Sequence, residues 1–87
     1  MARVFIPALL RPYAAGREWI DAEGATVRDV VAALEAAYPE MRGRLVRDGR
    51  MAPGYAIALD GELAAFGLSE EVSAGTEVHF VPAIQGG

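Results

Sequence analysis

A single amphipathic segment in the middle of the chain sets the fold class. Between residues 27 and 38 the apolar side chains recur at i, i+3, i+4 and i+7, which predicts an α-helix with one apolar stripe. Thr26 stands at the N-cap position, and Asp29 three residues later completes a capping-box pattern. Pro39 ends the helix, because the residue before a proline avoids helical dihedral angles. The stripe comprises Val27, Val30, Val31, Leu34 and Tyr38. These apolar side chains must pack against another element of the fold, such as a sheet.

The segments on both sides of this helix alternate with a period of two. Predicted strands span residues 3–8, 17–21, 55–59, 62–66 and 77–81. A turn at residues 14–16 separates the first two strands, and Asp60-Gly61 is a tight-turn signal between the third and the fourth. Before the third strand we expect a short helical turn around Met41 and Leu45, followed by a mobile loop to residue 54. Residues 68–73 are expected to form a single turn before the last strand.

This order of elements predicts an α+β fold of the β-grasp type. In that arrangement a mixed sheet packs on one main helix, and the first and last strands lie side by side and parallel in the middle of the sheet. A chain of 87 residues has the length of one domain. We therefore expect residues 1–82 to form a β-grasp domain and residues 83–87 to form a flexible carboxyl-terminal tail.

Composition excludes several classes of function. The chain has no cysteine, which removes thiolate metal sites, iron–sulfur ligation and persulfide chemistry on its own side chains. Its net charge of −4 argues against nucleic-acid binding, which needs a basic face. The apolar run at residues 4–10 is too short to span a membrane and lacks the cleavage site of a signal peptide. We expect a cytoplasmic protein with no nucleic-acid or membrane partner.

The sequence ends in Gly86-Gly87, preceded by Ile84 and Gln85. Glycine lacks a Cβ atom, so such a tail can enter a narrow channel and present its carboxyl group without a side chain in the way. We expect the chemistry to occur at the Gly87 carboxylate, with Gly86, Gln85 and Ile84 recognised as the tail. Two terminal glycines also arise by chance, so the rest of the chain must support this interpretation.

Strand alternation indicates which side chains share a face of the sheet. If Val4, Ile6, Val78 and Phe80 point at the helix, the opposite face carries the alternating residues between them. Neighbouring central strands bring these residues together as an exposed apolar patch, which is typical of a partner surface. We expect a partner interface formed by Phe5, Pro7, His79 and Val81.

Other polar and aromatic residues have simpler interpretations. His79 is the only histidine, so we expect a surface or interface role and no metal site. We expect the adjacent Glu70 and Glu71 to be solvated carboxylates and not a general acid and base pair. Trp19 and Tyr55 suit core or half-core packing better than binding of a ring-shaped ligand. Four arginines between residues 42 and 50 suit a solvated loop, with contact to an acidic partner or phosphate as the alternative.

Three segments of the chain resemble the motifs of one protein family. The most specific is Val78-His79-Phe80-Val81-Pro82-Ala83-Ile84-Gln85-Gly86-Gly87, with a last strand, a proline, a small residue and a terminal Gly-Gly. The second is the turn into that strand, Ser73-Ala74-Gly75-Thr76-Glu77-Val78, and the third is Ile6-Pro7-Ala8-Leu9-Leu10-Arg11-Pro12. Together they resemble the ubiquitin-like sulfur-carrier family of the MoaD/ThiS type, and the third segment resembles the opening of the carrier used in a thiocarboxylate route to cysteine.

The resemblance implies a carrier that is not itself an enzyme. On this resemblance we expect an E1-like enzyme to adenylate Gly87, using ATP that the enzyme binds. The resulting thiocarboxylate is expected to donate sulfur in a biosynthetic pathway, with a cysteine-type or accessory pathway favoured. The carrier binds no cofactor and is a monomer when free; its expected partners are the activating sulfurtransferase, a sulfur-accepting biosynthetic enzyme and a metalloprotease. The alternatives are the small subunit of molybdopterin synthase and a ubiquitin-like protein modifier conjugated through Gly87.

Overall fold

The computed structural model describes residues 1–82 as a mixed sheet covered on one face by a helix. The strands of the sheet are β1 (Ala2–Phe5), β2 (Trp19–Ala22), β5 (Tyr55–Leu59), β6 (Glu62–Leu63) and β7 (Glu77–Pro82), and a separate hairpin is formed by β3 (Val46–Arg47) and β4 (Arg50–Met51). The five strands of the sheet lie in the order β2-β1-β7-β5-β6. Strands β1 and β7 are parallel neighbours in the middle, while β2, β5 and β6 pair antiparallel. This confirms the predicted β-grasp arrangement.

Helix α1 (Val27–Ala37) covers the sheet with the predicted apolar stripe. The Thr26 hydroxyl oxygen accepts a hydrogen bond from the backbone N–H of Asp29 at 3.3 Å, which caps the helix as predicted. The helix ends at Ala37, and Tyr38 is its C-cap residue, directly before Pro39. Its stripe and the inward side chains of the central strands form one core, in which Val27, Val30, Val4 and Val78 are fully buried. Among residues 1–82, no helix is long and apolar enough to cross a membrane.

The first strand is shorter than predicted. It ends at Phe5, and residues Ala8–Ala14 form a 3₁₀ helix where the sequence analysis expected the end of a strand and a turn. Pro7 explains the difference, because it has no N–H to donate to a neighbouring strand and holds φ near the value of a helix start. Ile6 still donates its N–H to the Glu18 carbonyl at 2.8 Å, so the strand pairing stops only where the proline begins.

The segment between the helix and β5 contains more structure than a mobile loop. The predicted helical turn is a 3₁₀ turn at Pro39–Met41, and Met41 and Leu45 are both buried in the core. Strands β3 and β4 then form a two-residue antiparallel hairpin, which the sequence analysis did not predict. The Ala52 N–H donates to the Leu45 carbonyl at 2.8 Å and closes the base of this hairpin.

The later elements are those that the sequence predicts, although some of their lengths differ. Strand β5 has the predicted bounds, and Asp60 and Gly61 adopt positive φ values of 48° and 89°, as a tight hairpin turn requires. The return strand β6 has two residues instead of the predicted five, and the following turn is a 3₁₀ turn at Gly67–Ser69. Strand β7 includes one residue more than predicted, Pro82.

Gly24 allows the chain to pass closely over the first turn of α1. A Cβ atom at this position would lie 2.7 Å from both Asp29 Cβ and Val30 N. We expect Gly24→Ala to lower the free energy of unfolding by about 1–3 kcal/mol, since backbone atoms must shift to accept the methyl group. Urea denaturation measures the change. Ala25→Gly, next to it in the same exposed connection, is the control and should change stability by less than about 1 kcal/mol.

Candidate interaction face

The sheet face opposite α1 is open, and on the central strands β1 and β7 its side chains are those that alternation predicted. Val4, Val78 and Phe80 are no more than 1% exposed on the helix side. Phe5, His79 and Val81 are half-buried on the other side. The predicted assignment of the two faces is therefore confirmed for the central strands.

Three aromatic rings meet in the middle of this open face. Phe5 is the register partner of both Trp19 and His79, so one residue from each of β2, β1 and β7 lies in a single row. The Phe5 and His79 rings stack with centroids 5.2 Å apart, and the Trp19 ring stands edge-on to both at 5.0 and 5.4 Å. Rings that already pack on one another lose little conformational entropy on binding, so this cluster suits a contact surface.

Charged groups frame the aromatic cluster on two sides. The Arg3 guanidinium lies 4.6 Å from the Trp19 ring centroid, and the Arg11 guanidinium lies 5.2 Å from the Phe5 ring centroid. Arg11 is held in place because its Nε donates to the Ile6 carbonyl at 3.0 Å. The His79 Nε2 atom lies 3.6 Å from a carboxylate oxygen of Glu77. The face thus has an apolar centre and a charged rim, which is the usual layout of a protein interface.

Pro7 does not belong to this face, contrary to the sequence-based prediction. It follows the end of β1, is buried, and starts the 3₁₀ helix that leaves the sheet. The period of two that placed Pro7 beside Phe5 no longer applies once the strand has ended. Trp19, which the sequence analysis did not assign to this face, joins the cluster because the register between β1 and β2 places it opposite Phe5.

The face continues along β7 toward the carboxyl end of the chain. Val81 follows His79 on the same side of β7 and pairs with Ala56 on β5. Pro82, paired with Tyr55, is the last described residue, and it lies at the sheet end where β1 also ends. The predicted tail, residues 83–87 with Ile84, Gln85, Gly86 and Gly87, lies outside the described residues. The aromatic cluster therefore adjoins the end of the sheet from which this tail continues.

The remaining candidate residues have structural roles. Glu70 accepts a hydrogen bond from the Phe66 backbone N–H at 2.8 Å, so its carboxylate holds a turn and does not pair with Glu71 as acid and base. Tyr55 packs against the core, as expected. Within residues 1–82 no three histidine, aspartate or glutamate side chains are grouped so as to hold a metal ion.

Comparisons with known proteins agree with the fold and cover almost the whole chain. A model of the ThiS family matches residues 4–87. The sulfur carrier protein CysO of Mycobacterium tuberculosis is 33% identical over 89 residues, and the match covers 97% of this chain and 96% of the relative.

Solved structures extend this likeness to three dimensions. A chain in the crystal structure of the BexX/CysO complex of Amycolatopsis orientalis superimposes with a TM-score of 0.89 at 29% identity, with 100% of both chains covered. The crystal structure of SAMP1 from Haloferax volcanii gives a TM-score of 0.74 at 32% identity, covering 99% of this chain and 98% of the other.

Proposed function

The chain belongs to the ThiS family, and on that premise we propose that it is a sulfur carrier whose Gly87 carboxyl group is converted to a thiocarboxylate. The resemblance to the ubiquitin-like sulfur carriers is thereby confirmed, and the relatives named CysO agree with the likeness to the cysteine-pathway carrier. The observation that carries the proposal is the family match through residue 87, which includes Gly86-Gly87. These relatives are small ubiquitin-like carriers, which supports a role as a co-substrate of enzymes.

The proposed chemistry takes place in the active site of an E1-like partner. A Gly87 carboxylate oxygen attacks the α-phosphorus of ATP, the bond to the β-phosphate breaks, and pyrophosphate leaves. A hydrosulfide equivalent held by the partner then attacks the acyl carbon, and AMP departs with the electron pair of the C–O bond. The product is a thiocarboxylate, which is a good nucleophile toward the acceptor enzyme's substrate. The chain itself supplies the carboxyl group and the surface by which both partners bind it.

The open sheet face is the proposed docking surface for these partners. Its ring cluster of Phe5, Trp19 and His79 is preorganised by mutual packing. It adjoins the sheet end at Pro82, so an enzyme bound there is near the beginning of the tail. A partner that holds the domain at this face lowers the entropy cost of inserting the reactive end into its active site.

We propose that sulfur goes to a cysteine-type or accessory biosynthetic pathway. Similarity to carriers named CysO supports this assignment, as does the Ile6-to-Pro12 motif. In this scheme a metalloprotease acts after sulfur transfer, because a product formed on the carrier's carboxyl group must be released from it. A second candidate function, conjugation of Gly87 to other proteins as a modifier, is favoured by the likeness to SAMP1 of Haloferax volcanii.

Intact-mass spectrometry separates the two functions. The chain is coexpressed with an E1-like enzyme from the same organism and purified without a carboxyl-terminal tag. A sulfur carrier should gain the mass difference between sulfur and oxygen, and the gain should disappear on treatment with an alkylating reagent in favour of the alkylated product. A modifier should instead give higher-mass conjugates that survive thiols. An unchanged mass with a competent enzyme would contradict the carrier proposal.

A charge at Val81 tests the docking surface. We expect Val81→Asp to weaken binding of the E1-like enzyme by about tenfold, because the carboxylate would be desolvated against an apolar contact. The free energy of unfolding should fall by only about 1 kcal/mol, because Val81 is half-buried and faces away from the helix. Calorimetric titration and urea denaturation measure the two effects. Ala74→Asp, in an exposed turn, is the control and should leave binding unchanged.

A further inference from the structure

The hairpin β3–β4 places two arginines directly opposite each other. Arg47 and Arg50 are register partners across the two-residue ladder, and the turn between them consists of Asp48 and Gly49 with φ values of 51° and 75°. Like charges in this position destabilise a pair of strands. The arrangement therefore costs stability locally, and a bound anion would offset that cost.

A third guanidinium is fixed at the tip of the same hairpin. Arg28, in the first turn of α1, donates from Nη1 to the Gly49 carbonyl at 3.1 Å. This contact ties the hairpin tip to α1, so the arginines lie on the helix side of the molecule, away from the open sheet face. Three arginines and Asp48 give the tip a net charge of +2 (+3 − 1) in a chain whose net charge is −4.

The hairpin also borders an open cavity of about 480 Å³ lined by Arg47, Asp48, Arg50, Met51 and Pro53. Within residues 1–82, none of the three guanidiniums has a carboxylate oxygen within 4.0 Å. Arg47 uses its Nε to donate to the Gly43 carbonyl at 2.7 Å, which orients the side chain and leaves its terminal nitrogens for another acceptor.

We propose that this basic hairpin binds an acidic segment of a partner protein. An arginine guanidinium group can donate two parallel hydrogen bonds to one carboxylate. The apolar side chains of Met51 and Pro53 that line the cavity can contact the methylene groups of glutamate side chains. A polyphosphate fits the site less well, because the Asp48 carboxylate that lines the cavity repels its closely spaced charges more strongly than the more widely spaced carboxylates of a peptide. The site lies on a different layer from the aromatic face and does not depend on the chemistry of Gly87.

The test is a titration of the ¹⁵N-labelled full chain with acetylated, amidated hexaglutamate at low ionic strength. We expect saturable shifts of the backbone amides of residues 47–51 and of Arg28, which added salt reverses. Arg50→Glu should weaken binding by about tenfold, whereas Arg17→Glu, which changes the net charge equally on an exposed loop, should weaken it by less than about twofold. The Arg50→Glu substitution also places a carboxylate opposite Arg47, so the midpoint of thermal unfolding should be equal to or higher than that of the unaltered chain.

Three outcomes would overturn the proposal. Equal weakening by both variants would show a response to net charge alone. Tighter binding of tripolyphosphate than of hexaglutamate at the same amides would assign the hairpin to phosphate. The unaltered chain could also show no amide shifts in the hairpin, even at the highest peptide concentration below saturation of any other site. That result would show that the arginines form only a solvated turn.

Discussion

Replacing Gly87 with phenylalanine is expected to abolish the thiocarboxylate while leaving the domain folded. The proposed acyl-adenylate forms only if a carboxylate oxygen reaches the α-phosphorus of ATP in line with the leaving pyrophosphate, and a misplacement of about 1 Å costs on the order of 100-fold in rate. A phenylalanine Cβ and ring also remove the access that glycine gives to a narrow channel. Intact mass after coexpression with the E1-like enzyme measures the result, with no sulfur-for-oxygen gain expected.

The matched control adds one alanine to either end of the chain. An alanine after Gly87 moves the carboxyl group by one residue and should also abolish the mass gain, whereas an alanine before Met1 should leave it unchanged. The far-ultraviolet circular dichroism of all variants should be the same. A normal mass gain in both carboxyl-terminal variants would contradict the proposed role of the Gly86-Gly87 end in presenting the carboxyl group.

The helix and the central strands follow directly from local patterns in the sequence. Helix α1 has a cap, a stripe of period 3.6 and a stop at Pro39, and each is a short-range signal. Strand β5 is confirmed at both ends because the Asp60-Gly61 turn fixes where it stops. The parallel pairing of β1 with β7 was predicted from the order of elements, because a β-grasp with one crossover helix places these strands side by side.

The elements that the sequence analysis missed depend on contacts or on very short segments. The residues 8–14 are apolar enough to extend a strand, and only the loss of pairing at Pro7 turns them into a 3₁₀ helix. Strands of two residues, such as β3 and β4, are too short to show a period. Their positions depend on the Arg28 contact and on the burial of Leu45, which are tertiary.

The residues at the centre of the candidate interaction face could be predicted from the sequence, but one residue at its edge was assigned wrongly. Phe5, His79 and Val81 follow from alternation along two neighbouring strands. Trp19 joins them because β2 pairs with β1 in a register that places it opposite Phe5, and cross-strand register is not a local property of either segment. The assignment of Pro7 to this face was wrong, because the alternating pattern was extended beyond Phe5, where the strand ends.

The largest effect on stability is expected from Phe80→Ala. Phe80 is 1% exposed and is the largest of the fully buried side chains on the helix side of the sheet. Its truncation removes a buried ring and leaves a cavity, which costs about 3–5 kcal/mol. A domain of this size has about 4–13 kcal/mol of total stability, so the variant should lose a large part of its stability. Urea denaturation followed by circular dichroism measures the loss.

Phe5→Ala is the matched variant, because it removes the same ring from the other face of the neighbouring central strand. Its ring contacts Trp19 and His79 and is half-buried, so we expect a loss of about 1–2 kcal/mol in stability. Binding of the E1-like enzyme should weaken by about 30-fold, because Phe5 is the centre of the aromatic row. The two substitutions should therefore separate folding from docking. Equal losses of stability would show that the open face is part of the core, and unchanged binding in the folded Phe5 variant would remove that face from the proposed interface.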